Sequence, residues 1–347
     1  MRMSPRAKAA AAAGGVIFAA AGIFFLLVNR KDIPIVGGLI EDPAICPLTG
    51  REPKKEKLAE RPGVAVKIEN ASVAYPLAGL DKAEIVYEEP VEGGATRFMA
   101  FYHCTDAAKA GPVRSARLVD PAVMTPITRI LAFSGANRIV LDGLDEAEVV
   151  QIEENTSGGA LQRIPREGLS FEHTLYADTA ALRRVGRKGY DEPPPEDLFE
   201  FGDLEKRGKR ARTITINFGG SGTATYEWSG QEWLRAEGGV PFEIEGVGPL
   251  GVDNVLIEEH VVNFSKTITD VTGNPSVEIA DATGNGRAVL FRDGRAIAGT
   301  WTRESVESKV VFETKSGDEM VFSPGSIWVH LVPSDAGEVK GSFSYDA

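Results

Sequence analysis

The sequence predicts an α+β protein with an N-terminal transmembrane helix, a mixed α/β domain and an all-β C-terminal domain. Three patterns predict it: an apolar run without charge at the N-terminus, alternating strand and helix patterns, and then strand patterns alone. The expected divisions are an anchor (1–30), a tether (31–60), an α/β domain (61–190), a linker (191–210) and a β domain (211–347).

The N-terminal apolar run has the length of a membrane-spanning helix. It has 20 residues without a charge, from Ala9 to Val28, which as a helix extend about 30 Å, the thickness of a bilayer core. Basic residues within residues 2–8 favour a cytoplasmic N-terminus. A cleaved signal peptide is the alternative, but cleavage after the small residues 19–21 would leave the most apolar part attached. We therefore expect an uncleaved single-pass anchor, with the following domains outside the cytoplasm.

Two segments have the composition of linkers, and strands flank them. Residues 31–60 are rich in Pro, Gly and charge without periodicity, and residues 193–195 are three consecutive prolines. Strand patterns in the α/β domain occur at 64–68, 84–88, 96–104, 130–133 and 148–152. Helix patterns occur at 117–129, after 137, and at 177–188, where Asp178 is the expected N-cap. Residues 213–218 and 223–228 alternate around a Gly-rich turn and predict a β-hairpin, not a phosphate loop.

Composition excludes several classes of function. The 347 residues are 43% hydrophobic and 25% charged, as in a folded protein, and their net charge of −12 argues against nucleic acid and anionic lipid surfaces as partners. Two cysteines and four scattered histidines do not make a metal site. No cofactor motif and no standard nucleophile motif such as GxSxG or SxxK is present. We expect neither a metal nor a cofactor.

The two cysteines, Cys46 and Cys104, have two interpretations. In an exported domain an even count is typical of a disulfide, which would close a loop of nearly sixty residues. In a cytosolic domain they would be two unpaired buried thiols.

The segment from Glu92 to Arg117 is the strongest candidate for a site, because it combines Arg97, Arg114 and Arg117 with Gly-rich turns. If a helical turn begins after Pro112, the last two guanidiniums share one face near the positive end of a helix, which would attract phosphate or carboxylate. Internal ion pairs with nearby carboxylates are the alternative, and both arrangements can hold together.

Other polar residues are expected to join this segment. Glu69 and Asn70 follow the first predicted strand, where α/β sites often lie, although a simple turn is the alternative. His173 is the best acid–base candidate of the domain, and Ser115 stands between two arginines. The expected ligand-binding residues are Glu69, Asn70, Glu92, Arg97, Arg114, Ser115, Arg117 and His173, and no catalytic residue is assigned.

An ordered series of motifs gives the chain a family resemblance. The motifs are CPLTG (46–50), RPGVAVKIEN (61–70), LAGLDKAEIVYEEPVEGGATRF (77–98), GPVRSAR (111–117), EHTLY (172–176), DNVLIE (253–258), GNGRAVLFRDG (284–294), GTW (299–301) and SPGSIWVHLVP (323–333). This series resembles the YerB-like family, a bacterial extracytoplasmic family classed as a domain of unknown function (number 3048). The resemblance implies a cell-envelope location and a two-domain build, and many of the relatives are lipoproteins.

The chain departs from the family pattern at three places. Glu69 stands where members commonly have Asp, residues 75–77 replace an Arg-Pro-Gln, and Glu172 precedes His173 where a Pro is common. Loss of that arginine and glutamine puts a ligand inherited from the family in doubt.

The expected function is a membrane-anchored extracytoplasmic protein that binds an anionic ligand, such as a cell-wall component, through the arginine cluster. One alternative is an envelope hydrolase or transferase, with His173 as the base and Arg114 and Arg117 stabilising negative charge. Another is a non-catalytic interaction scaffold built on the β domain. The missing nucleophile favours binding.

Overall fold

The computed structural model describes residues 43–203, 208–220, 222–270 and 273–347. The expected anchor (1–30) and the first part of the tether lie outside the described residues. From Ala44 to Ala347 the chain forms one compact unit. Across the described ranges, no helix is both long and apolar enough to cross a bilayer.

A mixed sheet runs through both halves of the chain and has eleven strands among the described residues. In spatial order they are β22 (Val311–Thr314), β21 (Arg295–Arg303), β20 (Gly284–Arg292), β17 (Asn254–His260), β24 (Ile327–Pro333), β2 (Ile85–Pro90), β3 (Thr96–Tyr102), β1 (Val64–Glu69), β4 (Ile130–Ala132) and β5 (Val150–Ile152), with β9 (Lys209–Arg210) beside β21. The two halves join where β2 runs parallel to β24, with Ile85 opposite Ile327 and Glu88 opposite His330. The sheet therefore crosses the expected boundary between the α/β domain and the β domain.

A second, antiparallel sheet covers one face of the first. Over the part of the chain described, its strands are β13 (Val240–Pro241), β12 (Trp233–Glu237), β11 (Thr223–Trp228), β10 (Thr213–Asn217) and β25 (Ser342–Asp346), with β16 (Gly251–Val252) beside β12. β10 and β11 are the hairpin that the alternation predicts. Every regular element described after residue 211 is a strand, in agreement with the prediction.

Four pairs of short strands complete the described β structure. They are β6 (Leu161–Arg163) with β7 (Leu175–Ala177), β8 (Glu200–Phe201) with β23 (Val321–Phe322), β14 (Glu243–Ile244) with β15 (Gly248–Pro249), and β18 (Val262–Thr269) with β19 (Pro275–Ile279). The β18–β19 hairpin matters most for the site, because its end reaches the first half of the chain through a hydrogen bond from Ser276 to Glu92.

Three α-helices are described, all in the first half: α1 (Asp120–Met124), α2 (Arg138–Glu146) and α3 (Thr179–Gly186). The predicted cap of α3 is confirmed, since the Asp178 side chain accepts a hydrogen bond from Ala181 N. The helix predicted over 117–129 is only five residues long. Pro121 is tolerated in its first turn, and Pro126 lacks the backbone N–H that a continuing helix would need.

Alternation along the central strands directs side chains to two cores. On β1, Val64, Val66 and Ile68 belong to the core between the two sheets, while Ala65 belongs to the core beneath α1 and α2. The polar residues of the same strand follow the Ala65 face. The polar face of β1 therefore ends in a carboxylate at the carboxyl end of the strand.

Both predicted linkers pack onto the protein where the structure describes them. In the tether, Cys46 and Leu48 are buried, and Cys46 forms a disulfide with Cys104 at a Cα separation of 6.1 Å. In the linker, residues 198–199 are buried and β8 pairs with β23. Pro, Gly and charge in these segments reflect turns that follow the surface of the protein, so residues 44–60 are not a free tether.

Candidate functional site

A cleft opens at the carboxyl end of β1 and the start of β3, with a cavity volume of about 580 Å³. Its walls are the end of β1, the turn before β3, the segment 113–117, the start of α2 and the end of the β18–β19 hairpin. Seven of the eight candidate residues line it: Glu69, Asn70, Glu92, Arg97, Arg114, Ser115 and Arg117. The eighth, His173, joins the group through a hydrogen bond to Glu69.

The segment 113–117, which carries two of the arginines, is extended, so the predicted helical turn is wrong. Backbone carbonyls of other segments accept its N–H groups: Arg114 N donates to Lys67 O of β1 (2.9 Å), and Ala116 N donates to Gly135 O in the loop after β4 (3.1 Å). Both guanidiniums nevertheless line one cleft, because this segment crosses its wall. Backbone pairing, and not a helix dipole, brings the two arginines together.

Glu69 contacts both Arg114 and His173 in the cleft. It lies directly opposite Arg97 in the β1–β3 register. Its Oε2 is 2.7 Å from His173 Nδ1 and 3.4 Å from Arg114 Nε. Its Oε1 is buried and has no hydrogen-bond partner among the described residues. Burial raises the pKa of this carboxyl, although Arg114 and His173 oppose the rise.

Arg97 is a partly buried arginine whose guanidinium has incomplete hydrogen bonding. Its Nη1 donates to Ser115 O at 3.1 Å, while its Nε is buried and unpaired among the residues described. Burial, followed by repulsion from Arg117, lowers the pKa of Arg97 to about 9. An anion in the cleft would stabilise its charged form.

Arg117 and Glu92 form an internal ion pair, the second of the two arrangements that the sequence allows. Arg117 Nε and Nη2 lie 3.0 and 2.5 Å from Glu92 Oε2, and Ser276 Oγ donates to Glu92 Oε1 at 2.7 Å. Burial alone would raise the pKa of Glu92, but Arg117 and Ser276 outweigh it and lower the pKa. The ion pair joins the segment 113–117 to the turn before β3, and the Ser276 bond joins the β18–β19 hairpin to the same turn.

A buried ionic cluster lies on the same sheet face. Lys67 Nζ is 2.6 Å from Glu89 Oε1 and 2.9 Å from Asp120 Oδ1, and all three side chains are fully buried. Burial raises the pKa of Glu89 to about 7, with Asp120 adding to the rise and Lys67 opposing it. Asp120 also accepts a hydrogen bond from Arg117 N. A lysine inside the apolar run VAVKI was the sequence signal for this cluster.

A second buried ion pair lies on the opposite face of the sheet. Arg235 from β12 donates to Glu88 of β2 at 2.9 Å, and His330 of β24 is 3.0 Å from the same carboxylate. Burial would raise the pKa of Glu88, but Arg235 and His330 hold it at about 2. Asn70 and Thr96, which line the cleft, both donate to Glu88 as well. No sequence pattern linked residues this far apart.

Ser115, the possible nucleophile of the cleft, is hydrogen-bonded to a backbone carbonyl and not to a histidine. Ser115 Oγ donates to Ser134 O at 3.0 Å. His173 Nδ1 is taken by Glu69. Among the residues of the cleft that the structure describes, the geometry provides fixed charges and hydrogen-bond donors, but no serine hydrogen-bonded to a histidine.

Part of the cleft was missed by the sequence analysis. Gly135, Ala136, Asn137 and Val140 come from the loop after β4 and the start of α2. Thr269, Asp270 and Ser276 come from the β18–β19 hairpin in the second half. These residues join the cleft through long-range packing, for which a single sequence has no local signal.

Comparisons with known proteins cover most of the chain. The N-terminal and C-terminal domain models of "Protein of unknown function (DUF3048)" match residues 48–191 and 214–329. "Putative lipoprotein YerB" of Bacillus subtilis (strain 168) is 28% identical over 333 residues, covering 92% of this chain and 95% of the relative. The crystal structure of the YerB protein from Bacillus subtilis matches with a TM-score of 0.69 and 25% identity, covering 86% of this chain and 99% of that one.

Proposed function

The chain belongs to the DUF3048 family of proteins of unknown function, and we propose that it is an envelope protein that binds an anionic ligand in the Glu69–Arg114 cleft. Membrane attachment is supported by the description of its relative as a putative lipoprotein and by the charge-free run of residues 9–28. The Cys46–Cys104 disulfide supports a location outside the cytoplasm, since disulfides persist in oxidising compartments.

The unsatisfied guanidinium of Arg114 is the observation that carries the binding proposal. This side chain lines the cleft and is 26% exposed, and its single ionic contact among the described residues is the 3.4 Å approach of Nε to Glu69. Arg117, by contrast, uses all three of its guanidinium nitrogens in hydrogen bonds to Glu92 Oε2 and Ala116 O. A planar fork with free donors suits a carboxylate or a phosphate. A cell-wall component is the expected source of that group.

The test is binding of the full-length protein, purified in detergent, to cell walls isolated from Bacillus subtilis. Arg114→Ala should lower the affinity about tenfold or more, because a charge-assisted hydrogen bond contributes roughly 1.5–3 kcal/mol. Arg114→Lys should recover part of the loss, since it keeps the charge but not the fork. Arg212→Ala is the matched control, because that side chain is 72% exposed and distant in sequence from every cleft residue.

Unchanged wall binding by Arg114→Ala would rule the proposal out. Binding that survives in Arg114→Ala and is directed at envelope proteins would instead favour an interaction scaffold.

An envelope hydrolase or transferase is the second candidate, favoured by the Glu69–His173 hydrogen bond. A carboxylate at 2.7 Å from Nδ1 orients the imidazole as it does in many general bases. This function predicts that the protein releases soluble fragments from cell walls and that His173→Asn stops the release without abolishing wall binding. Equal amounts of fragments with wild type, His173→Asn and no protein would remove this candidate.

A further inference from the structure

Two unpaired buried atoms of the cleft are of opposite kinds and belong to facing residues, and Arg114 Nε is a third unpaired atom. Among the described residues, Glu69 Oε1 is an acceptor without a donor, and Arg97 Nε is a donor without an acceptor. The two residues are register partners on β1 and β3, so their Cβ atoms are about 5 Å apart on one face of the sheet. Because each unpaired buried atom costs free energy, a ligand that satisfies both has an advantage over one that satisfies either.

The charges in and beneath the cleft balance one another. Four cations and four carboxylates lie there: Arg97, Arg114, Arg117 and Lys67, with Glu69, Glu92, Glu89 and Asp120. Asp270 at the cleft wall adds a further carboxylate, and His173 adds a charge when it is protonated. A bare anion would enter a site without a marked positive surplus. A ligand group that carries both charges would leave the balance unchanged.

Resting on the proposed anion binding, we infer that the bound group is a zwitterion, with a carboxylate and an ammonium on the same carbon as in an α-amino acid. The carboxylate accepts hydrogen bonds from Arg114 and Arg97, and the ammonium donates to Glu69 Oε1. The close spacing of the facing residues requires that both ligand groups be neighbours. The cavity of about 580 Å³ has room for more than one small amino acid. The group can therefore belong to a free amino acid, or to a diaminodicarboxylic acid of a wall peptide whose second ammonium and carboxylate are free on one carbon.

Calorimetric titration of the full-length protein with three small probes tests this inference. Alanine carries both groups, N-acetylalanine only the carboxylate, and alaninamide only the ammonium; both enantiomers of each are used. Alanine should bind about tenfold or more tightly than either analogue, because each analogue leaves one charged partner unpaired. Glu69→Gln should remove the preference for alanine over N-acetylalanine, while Glu69→Asp, which keeps the charge, should retain part of it.

Two muropeptides distinguish the two sources. One has the free amino group of its diaminodicarboxylic acid, and the other has the same amino group acetylated. Tighter binding of the free-ended muropeptide than of alanine assigns the site to wall peptides, and the reverse order assigns it to free amino acids; both results support the inference. If thermal unfolding shows that Glu69→Gln is not folded, the alanine to N-acetylalanine ratio of the wild type decides alone.

Equal affinities for alanine and N-acetylalanine would overturn the zwitterion and leave the anion site intact. Absence of binding by every probe, in a protein whose wall binding still depends on Arg114, would overturn it in the same way. Wall binding that does not depend on Arg114 would remove the proposed function itself.

Discussion

Glu69 and Arg97 face each other across β1 and β3, and each has one buried polar atom that no described residue satisfies. The neighbouring cations Arg117 and Lys67 differ from Arg97, because each is paired with carboxylates of the protein. Arg117 forms an ion pair with Glu92, and Lys67 forms ion pairs with Glu89 and Asp120. The cleft thus separates residues that hold the structure from residues that are available to a ligand, and the following predictions test that separation.

Arg117→Ala should destabilise the protein by about 2 kcal/mol, because it leaves the Glu92 carboxylate largely buried without its cation. Urea unfolding of Arg117→Ala, Glu92→Ala and the double variant should give a coupling energy of about 1 kcal/mol or more. Arg187→Ala, which breaks an ion pair with both side chains about half exposed, is the control and should change stability by less than about 0.5 kcal/mol. Additive effects of the two cleft substitutions would contradict the pairing.

Lys67→Met should cost about 3–5 kcal/mol of unfolding free energy, because it leaves Glu89 and Asp120 as buried carboxylates without a cation. Lys82→Met is the matched control: this lysine is 56% exposed, and its loss should change stability by less than about 0.5 kcal/mol. Chemical denaturation of both variants provides the measurement. A cost below about 1 kcal/mol for Lys67→Met would mean that the cluster is not ionised as described.

Glu84 should make the protein less stable as the pH rises. Burial raises the pKa of Glu84 to about 7 in the folded state, although hydrogen bonds from Thr105 oppose the rise. The ordinary pKa of a glutamate, which applies to the unfolded chain, is 4.5. The folded state therefore holds this proton more tightly than the unfolded state, and the stabilisation present below pH 4.5 is lost as the pH rises to about 7. The loss amounts to up to about 3 kcal/mol.

Comparison of wild type with Glu84→Gln at pH 4.5 and pH 8 checks this sign. The variant should gain stability relative to wild type as the pH rises, because an amide does not ionise. His103, whose pKa burial lowers to about 4, acts in the opposite direction in both proteins, so its effect cancels in the comparison. Parallel pH profiles of the two proteins would refute a raised pKa for Glu84.

Removal of the Cys46–Cys104 disulfide should lower stability by about 4 kcal/mol. The two cysteines are 58 residues apart in sequence, and a cross-link of that span restricts the unfolded chain strongly. Thermal unfolding of a Cys46→Ser/Cys104→Ser variant measures the effect, and a reductant should lower the melting temperature of the wild type but not of the variant. Equal responses to the reductant would contradict the assignment.

The sequence identified the cleft residues better than it identified their geometry. Glu69, Arg97 and Arg114 could be proposed as neighbours because each stands beside a strand end or a turn in a short stretch of chain. The predicted helical turn failed because Arg114 N bonds to β1 and Ala116 N bonds to the loop after β4, and long-range backbone pairing outweighs local spacing.

The fold was predicted in its elements but not in their assembly. The strands, the cap at Asp178 and the hairpin of β10 and β11 followed from local patterns. The pairing of β2 with β24 could not be predicted, since both are buried strands and nothing local specifies which partner each takes. The hydrogen bond between Ser276 and Glu92 could not be predicted either, because no local pattern links residues so far apart in sequence.

The junction of β2 and β24 also fixes an order of events during synthesis. Until Ile327–Pro333 has been made, β2 has an unpaired edge and Glu88 lacks His330, while its other partner, Arg235, is made earlier on β12. At typical rates of about 5–20 residues per second, the delay between these two strands is roughly 10–50 s. Through that interval the nascent N-terminal half exposes an apolar strand edge, so it depends on chaperones or on delayed collapse to avoid pairing with another chain.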